Sequence, residues 1–560
     1  MIGLSKRFVG GEGIFYPKFH GICSVVESIP GVEPEWKMML SRISCLLAGC
    51  VLLGLTCFAE NKPNFLVLLT DDQRTDTLSV YNSDCSIQTP NLDRLAQEGI
   101  RFDHGFVTTP ICSVSRACIL SGRYETNARM HQFQTPLPED VFEQTYPMIL
   151  GENGYYTGQL GKYGVGIRPE EKKRYDVFEA QVRQGPAFRE YKGRKMHDAE
   201  WLTVKTEEFL ERVPKGKPFC LQVNYKEPHP SAGVAPEDAG VLAGHDYPRG
   251  PQDTPEAFAR LPEFIQKGYG RVCYTEMYNK GGDHNFYLRE YHEKILSVDR
   301  SVGQIMQMLH QRGLAENTVV VFLSDHGTHF GEKQLAAKWT PYEQSLRIPF
   351  IIHDPRPGAR KGGISDEMVL NIDVAPTLLD LAGVSVPDEM DGTSLVPLIS
   401  DARPLTSENW RDHFFYEHFC SPSGVRTYIP RNMGVRTTSM KYVRWTDMEP
   451  AIEELYDLRN DPMEMKNLAS NPEYREQFAQ LRAQYDAWRE ANPSTYVYDS
   501  YRFRAQAGAP DIDWERFREA KPEIYEKIKV QVEKLGVTWE RAMNDPDVRA
   551  KICSRVGYWY

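Results

Sequence analysis

Four short, almost unbroken apolar runs constrain this chain more than anything else in it. They are residues 64–70 (NFLVLLT), 219–223 (FCLQV), 318–323 (TVVVFL) and 349–352 (PFII). A strand with one wet face alternates apolar and polar residues. A strand buried on both faces does not, so these runs belong inside a sheet covered by helices. Helical patterns lie between them. One begins at 89–96, a second spans 198–212, and a third spans 291–313, with Ile295, Val298, Val302, Ile305 and Leu309 on one stripe. A short apolar helix is expected at 374–381. Strands alternating with helices argue for βαβ units and a mostly parallel sheet.

From about Leu405 the texture changes. Short alternating segments such as 441–445 (KYVRW) suggest a small antiparallel sheet, and 471–491 reads as an exposed amphipathic helix. The tail, 493–560, is aromatic and charged, with helical stretches at 513–518 and 522–535. At the other end, Met38 to Arg42 opens a short basic region, an apolar run follows from Ile43 to Phe58, and Ala59 ends it. That is the shape of a secretory signal cut after Ala59, which implies a periplasmic or extracellular protein. A retained N-terminal anchor, or a lipoprotein-type box at 47–50 (LAGC), is the alternative. The expected organisation is therefore an upstream mis-start over 1–37, a signal peptide over 38–59, an α/β domain over 60–404, a smaller subdomain over 405–492, and an extension over 493–560 packed on the main domain. Of eleven cysteines, Cys23, Cys45, Cys50 and Cys57 precede the cut. The seven that remain show no zinc-type spacing, and an odd number in an exported protein leaves at least one unpaired thiol.

Composition excludes disorder and a nucleic-acid partner: 41% of residues are hydrophobic, and the formal net charge of the 560 residues is −11. An acidic protein that handles an anion must gather positive charge locally. Asp71 and Asp72 follow directly after the first buried run, and Asp325 and His326 follow another. Ligands of α/β sheets gather at the carboxyl ends of strands. Adjacent carboxylates there repel each other unless a cation sits between them, and oxygen-rich ligation favours Ca²⁺ or Mg²⁺ over zinc. On these residues alone, helix capping by the acidic pair and a structural His326 stay open.

Residues 112–123 (CSVSRACILSGR) resemble the signature of the type I sulfatases, which belong to the alkaline phosphatase superfamily. The resemblance extends in order through 154–162 (GYYTGQLGK), 226–230 (KEPHP), 338–343 (KWTPYE), 373–380 (DVAPTLLD) and 454–468 (ELYDLRNDPMEMKNL), and so covers about 64 to 492.

That resemblance implies an alkaline phosphatase-like α/β fold: a large mixed, mostly parallel sheet sandwiched by helices, with a smaller C-terminal antiparallel sheet plus helix. It implies that a formylglycine-generating enzyme converts Cys112 to formylglycine, whose hydrate is the nucleophile. Asp71, Asp72, Asp325, His326 and the modified Cys112 would hold one divalent metal, Ca²⁺ ahead of Mg²⁺. Arg116 would orient the modified residue, Lys162 would face sulfate oxygens, and His229 and Lys338 would serve the leaving oxygen. The implied activity is hydrolysis of a sulfate monoester, with a sulfated carbohydrate or another small sulfate ester as substrate. A phosphodiester or phosphonate ester hydrolase on the same fold, and a non-catalytic sulfatase-like binding protein, are the competing readings. Two positions depart from the family pattern. Val114 stands where Pro or Ala is usual. Lys162 is followed by Tyr163-Gly164 where the family places a His at the second position, so His131, His284 and His329 are the substitutes to examine.

Overall fold

The apolar runs become the inner strands of one large sheet. In the computed structural model the described residues are 62–130, 133–279, 283–403, 410–419, 431–446, 450–493 and 522–544. The expected signal peptide at 38–59, the helix at 513–518, and His131, Cys420 and Cys553 lie outside them. The chain runs through β1 (Asn64–Asp71), β2 (Ile100–Phe106), β3 (Tyr156–Lys162) and β4 (Val177–Gln181) to a hairpin, β5 (Phe188–Tyr191) and β6 (Arg194–His197). It continues with β7 (Phe219–Pro228), β8 (Thr318–Ser324), a short pair β9 (His329–Phe330) and β10 (Ala336–Ala337), then β11 (Phe350–His353) and β12 (Gly363–Leu370). Four more strands follow: β13 (His413–His418), β14 (Asn432–Thr437), β15 (Met440–Trp445) and β16 (Ile452–Asp457).

The main sheet has eight strands in the order β12-β2-β11-β8-β1-β7-β3-β4. β1 lies between β8 and β7 and runs parallel to both. All eight of its residues are buried. Phe65, Val67 and Leu69 face one core; Leu66 and Leu68 face another. The first core receives the helix Cys112–Ser121 through Val114, Ala117 and Cys118, and the helix Val374–Leu381 through Leu378. The second receives the helices Pro90–Glu98, Asp198–Arg212 and His284–Gln311 through Leu92, Leu202, Phe209, Val298 and Val302. Helices on both faces are the reason that the strand carries no polar alternation.

Two elements differ from the sequence reading. The 349–352 run is fully buried as expected, but β11 is antiparallel to both its neighbours, β8 and β2. Apolar continuity reports coverage of the faces, not direction. Segment 325–349 holds only the β9–β10 pair and single helical turns, and a parallel return needs a longer crossover. The third helix begins at His284, ahead of its apolar stripe, because Asp283 caps it by accepting from the Asn285 N–H at 2.9 Å.

β13 to β16 form the expected C-terminal antiparallel sheet, in chain order. The helix Arg475–Ala491 packs on it through Leu481 and Tyr485, and Trp488 stacks on Phe415 at 4.5 Å. This sheet is tied to the main body by charge as well as by packing. Lys441 of β15 is wholly buried; its Nζ meets Glu343 Oε1 at 2.7 Å and Glu464 Oε1 at 2.6 Å, and donates to the Pro341 carbonyl at 3.0 Å. Burial opposes ionisation of Glu343, yet Arg436 and Lys441 hold its carboxyl below the usual range. Removing one member of such a buried network leaves uncompensated charge. Lys441→Met should therefore lower the unfolding free energy by about 3–5 kcal/mol, read from urea denaturation. An unchanged midpoint would mean that the network does not hold the sheet in place.

Candidate active site

The carboxyl ends of β1 and β8 lie side by side, so their acidic turns meet. Asp71 closes β1, and Asp72 follows in the left-handed region at φ 65°. That turn is locked from the β8 side: the Asp72 N–H donates to Asp325 Oδ1 at 3.2 Å and the Gln73 N–H to Ser324 Oγ at 2.9 Å. Tyr291 Oη adds a hydrogen bond to the Asp72 carbonyl at 2.6 Å. Asp71, Asp72 and Asp325 are all buried.

Each carboxylate has its own cation. Lys162, the last residue of β3, pairs with Asp71 Oδ2. Lys338, just past β10, reaches Asp72 Oδ1 at 2.5 Å. Arg116 Nε meets Asp325 Oδ2 at 2.8 Å with both side chains at zero exposure. The guanidinium is a hub: Nη1 donates to the Lys162 carbonyl at 2.5 Å and to Asn224 Oδ1 at 3.2 Å, and Nη2 lies 3.5 Å from the Thr70 carbonyl. Burial resists ionisation of Asp71, but Lys162, His229, Arg116 and Lys338 hold its carboxyl well below the ordinary value. Asp72 goes the other way. Burial raises it, with Asp71 and Asp325 adding repulsion that Lys338 and His326 do not cancel.

Cys112 is the first residue of the helix Cys112–Ser121 and sits against this cluster. Ser115 N–H makes the first helical bond, to the Ile111 carbonyl. The N–H groups at the very start of a helix have no acceptor within it, and they favour an anion. The other end of the helix stops at Gly122, which takes the left-handed conformation at φ 67°. The Cys112 thiol is contacted by His326 Nε2 at 3.2 Å and Lys338 Nζ at 3.1 Å. Burial and the nearby Asp71 charge push it up to about 12. Cys118, on the same helix, is buried in the apolar core.

The two imidazoles at the site are held in opposite tautomers. His326 Nδ1 lies 2.9 Å from the Gly327 carbonyl, which only accepts, so Nδ1 carries the proton and Nε2 presents a lone pair. Burial keeps this ring neutral. His229 Nδ1 accepts from the Ser231 N–H at 3.2 Å and lies 2.8 Å from Ser231 Oγ, which places the neutral ring's proton on Nε2. That Nε2 is 3.9 Å from Asp72 Oδ2.

Asp71, Asp72, Cys112 and His326 each bring one ligand atom to within 4.8 Å of one another. The donor set fits a cation on three counts. Asp71 Oδ1 is buried with no hydrogen-bond partner. The His326 Nε2 lone pair lies 3.3 Å from Asp72 Oδ1 and 3.4 Å from Asp325 Oδ1, so three acceptor atoms crowd together there. With Asp325 beside them, carboxylates make up three of the five donor residues, as suits a hard divalent ion.

All nine expected site positions (Asp71, Asp72, Cys112, Arg116, Lys162, His229, Asp325, His326 and Lys338) converge here. Of the substitute histidines, His284 packs edge-on against Tyr278 at 5.3 Å, and His329 hydrogen-bonds Thr340 at 2.7 Å; neither reaches the cluster through these contacts. Gly164, where the family pattern has its His, stands at φ 80°, and a Cβ there would come 2.5 Å from Arg116 Cδ. The stem of Arg116 occupies the space. Gln184 escaped the sequence reading. It lies in an undistinguished loop after β4, yet its Nε2 donates to Asp71 Oδ2 at 3.0 Å. Asn224 escaped as well, because a polar residue inside the apolar β7 reads as noise until Arg116 is seen beside it.

A family model described as Sulfatase matches residues 63–384, and one described as N-sulphoglucosamine sulphohydrolase, C-terminal, matches residues 331–491. The chain is similar to an N-acetylglucosamine-6-O-sulfatase of Bacteroides thetaiotaomicron, with 29% identity over 517 residues, covering 79% of this chain and 91% of that one. It is also similar to an arylsulfatase of Clostridium perfringens, at 28% identity covering 75% and 93%. Among solved structures, one described as a complex with its substrate D-glucosamine-2-N,6-O-disulfate matches with a TM-score of 0.66 and 27% identity, covering 78% of this chain and 99% of that chain. A phosphonate monoester hydrolase of Agrobacterium radiobacter shares the fold, with a TM-score of 0.64 at 22% identity over 77% of this chain and 96% of that one.

The buried, high-pKa thiol gives a direct check on the site. At pH 8 only about one Cys112 in ten thousand would be thiolate, and it is shielded from reagents. Unconverted protein treated with iodoacetamide in metal-free buffer should keep Cys112 unlabelled until it is denatured. Rapid labelling of the native protein at Cys112, seen by peptide mass spectrometry, would contradict this geometry.

Proposed function

The chain belongs to the sulfatase family of sulfuric ester hydrolases, and from that premise we propose that it removes a sulfate monoester from a carbohydrate, with formylglycine made from Cys112 as nucleophile and a divalent metal, Ca²⁺ ahead of Mg²⁺, at the paired acidic turns. One observation carries the reading. Cys112 opens a helix in the midst of Asp71, Asp72, His326 and Lys338, where an acidic protein gathers buried cations beside its buried carboxylates. Asp71, Asp72, Asp325 and His326 would hold the metal, which when bound would offset their charge, polarise a sulfate oxygen and favour ionisation of the attacking hydroxyl. Formylglycine would supply a hydrated aldehyde, one hydroxyl for attack on sulfur and the other for expelling sulfate.

The remaining roles belong to side chains of this chain. Arg116 fixes the start of the helix relative to β8 through Asp325, and so aims position 112. Lys162 presents its ammonium to sulfate oxygens as a point charge. The proton on His229 Nε2 and the ammonium of Lys338 would serve as donors to the departing oxygen. A hexosamine 6-sulfate is the first substrate class to test, by likeness to the relative named for that activity and to the structure bound to a glucosamine disulfate. An extracellular sulfatase homologue from Drosophila melanogaster among the relatives supports export.

Sulfate release from glucosamine 6-sulfate should appear only when the protein is made together with a formylglycine-generating enzyme. Peptide mass spectrometry should then show conversion at Cys112. Exhaustive chelation should remove the activity and Ca²⁺ should restore it. Full activity with an intact Cys112 thiol, or after complete chelation, would sink the mechanism. Turnover of a phosphonate monoester in place of the sulfate ester would move the protein to the phosphoester class.

Lys338 makes a separable prediction. If it stabilises charge on the leaving oxygen, Lys338→Ala should cost a sugar sulfate about a hundredfold or more in kcat/KM, and 4-nitrophenyl sulfate far less, because the latter's leaving group needs little help. Equal losses on both would restrict Lys338 to sulfate binding.

A further inference from the structure

We propose that Asn432, on the C-terminal sheet, is a positioning residue for Lys338. The proposal rests on the reading of Lys338 as the group serving the leaving oxygen. Lys338 is presented on strained backbone. The residues on either side of it, Ala337 and Trp339, are non-glycine residues in the left-handed region, at φ 65° and φ 77°. Such conformations persist only where the surroundings hold them. On one side the restraint is local: Ala337 pairs with His329 in β9–β10, and His329 Nε2 bonds Thr340 Oγ1 at 2.7 Å. On the other side it comes from the C-terminal sheet. Asn432, the first residue of β14, donates Nδ2 to the Trp339 carbonyl at 3.2 Å. Lys441 of β15 donates to the Pro341 carbonyl two residues on, at 3.0 Å.

Asn432 pairs through its backbone with His418 on one side and Trp445 on the other. It is wholly buried, where a polar side chain survives only by bonding to a partner. Its amide holds the Trp339 peptide in the orientation that the left-handed φ requires. If that peptide turns, Lys338 Nζ leaves its positions 2.5 Å from Asp72 Oδ1 and 3.1 Å from Cys112 Sγ. The C-terminal sheet thus reaches the reacting centre through one amide and one carbonyl.

The test compares matured, Ca²⁺-loaded wild type with Asn432→Ala, Asn432→Leu, Lys338→Ala and the Asn432→Ala/Lys338→Ala double variant. Glucosamine 6-sulfate and 4-nitrophenyl sulfate are the probes. Asn432→Ala should lose at least about tenfold more kcat/KM on the sugar sulfate than on the aryl sulfate. The double variant should be within about twofold of Lys338→Ala alone, since both changes remove one function. Equal losses on the two probes, or a double variant whose loss is the product of the single losses, would overturn the proposal. Asn432→Leu keeps the volume without the donor and replaces the alanine variant should that one not fold. A crystal structure of Asn432→Leu needs no turnover: Trp339 should leave the left-handed region, and its staying there with Nζ still bonded to Asp72 would equally overturn it. Loss of probe discrimination by Lys338→Ala itself would instead refute the leaving-group reading, while the conformation of Trp339 would still decide the part played by Asn432.

Discussion

Three carboxylates and three cations share one buried volume at the ends of β1 and β8, and their one-to-one pairing is the constraint on which the rest depends. Asp71 answers Lys162, Asp72 answers Lys338, and Asp325 answers Arg116. Any one of these ions would be too costly to bury alone. Together they oblige five separate pieces of chain to meet: the turn after β1, the end of β3, the turn after β8, the segment just past β10, and the start of the helix Cys112–Ser121. The sheet order puts β7, β1 and β8 side by side, with β3 next to β7, which brings Lys162 within reach of Asp71. Arg116 then joins the pieces, since it touches Asp325, the Thr70 and Lys162 carbonyls, and Asn224.

Polar atoms beyond these pairs divide the work between two rings. His326 donates its Nδ1–H to the Gly327 carbonyl and turns a lone pair toward Cys112 and the carboxylates. His229 accepts at Nδ1 from Ser231 and turns a proton toward Asp72. One ring suits a cation, the other an oxygen that must be protonated. The family's missing histidine has a steric counterpart: with Gly164 at φ 80°, Arg116 takes the room a side chain would need.

Much of this was legible from local pattern. The strand runs at 64–70, 219–223 and 318–323, the helices at 198–212 and 374–381, and the antiparallel segment at 441–445 depend on burial and periodicity within a few residues, and all appear where expected. The direction of β11 did not depend on its own residues but on the short connection before it. The start of the helix at His284 depended on a cap rather than on apolar spacing. Gln184 and Asn224 carried no signal because nothing near them in sequence distinguishes a site residue from a loop amide or a polar residue in a strand.

The sequence by itself determined which residues could do chemistry: acidic pairs at strand ends, a cysteine at the head of a helix, and lysines at the ends of recognisable segments. The acidic pairs are written locally, because strand ends and turns follow from short-range sterics and hydrophobic pattern, whereas Cys112 and the lysines stood out through the family resemblance. Only the tertiary structure decided the partners. Which cation meets which carboxylate, which ring nitrogen keeps its proton, and why Lys338 sits on left-handed backbone held by Asn432 from a distant sheet are all long-range outcomes. They follow from the low dielectric of the interior, which makes every buried charge and amide find a partner wherever the fold brings one.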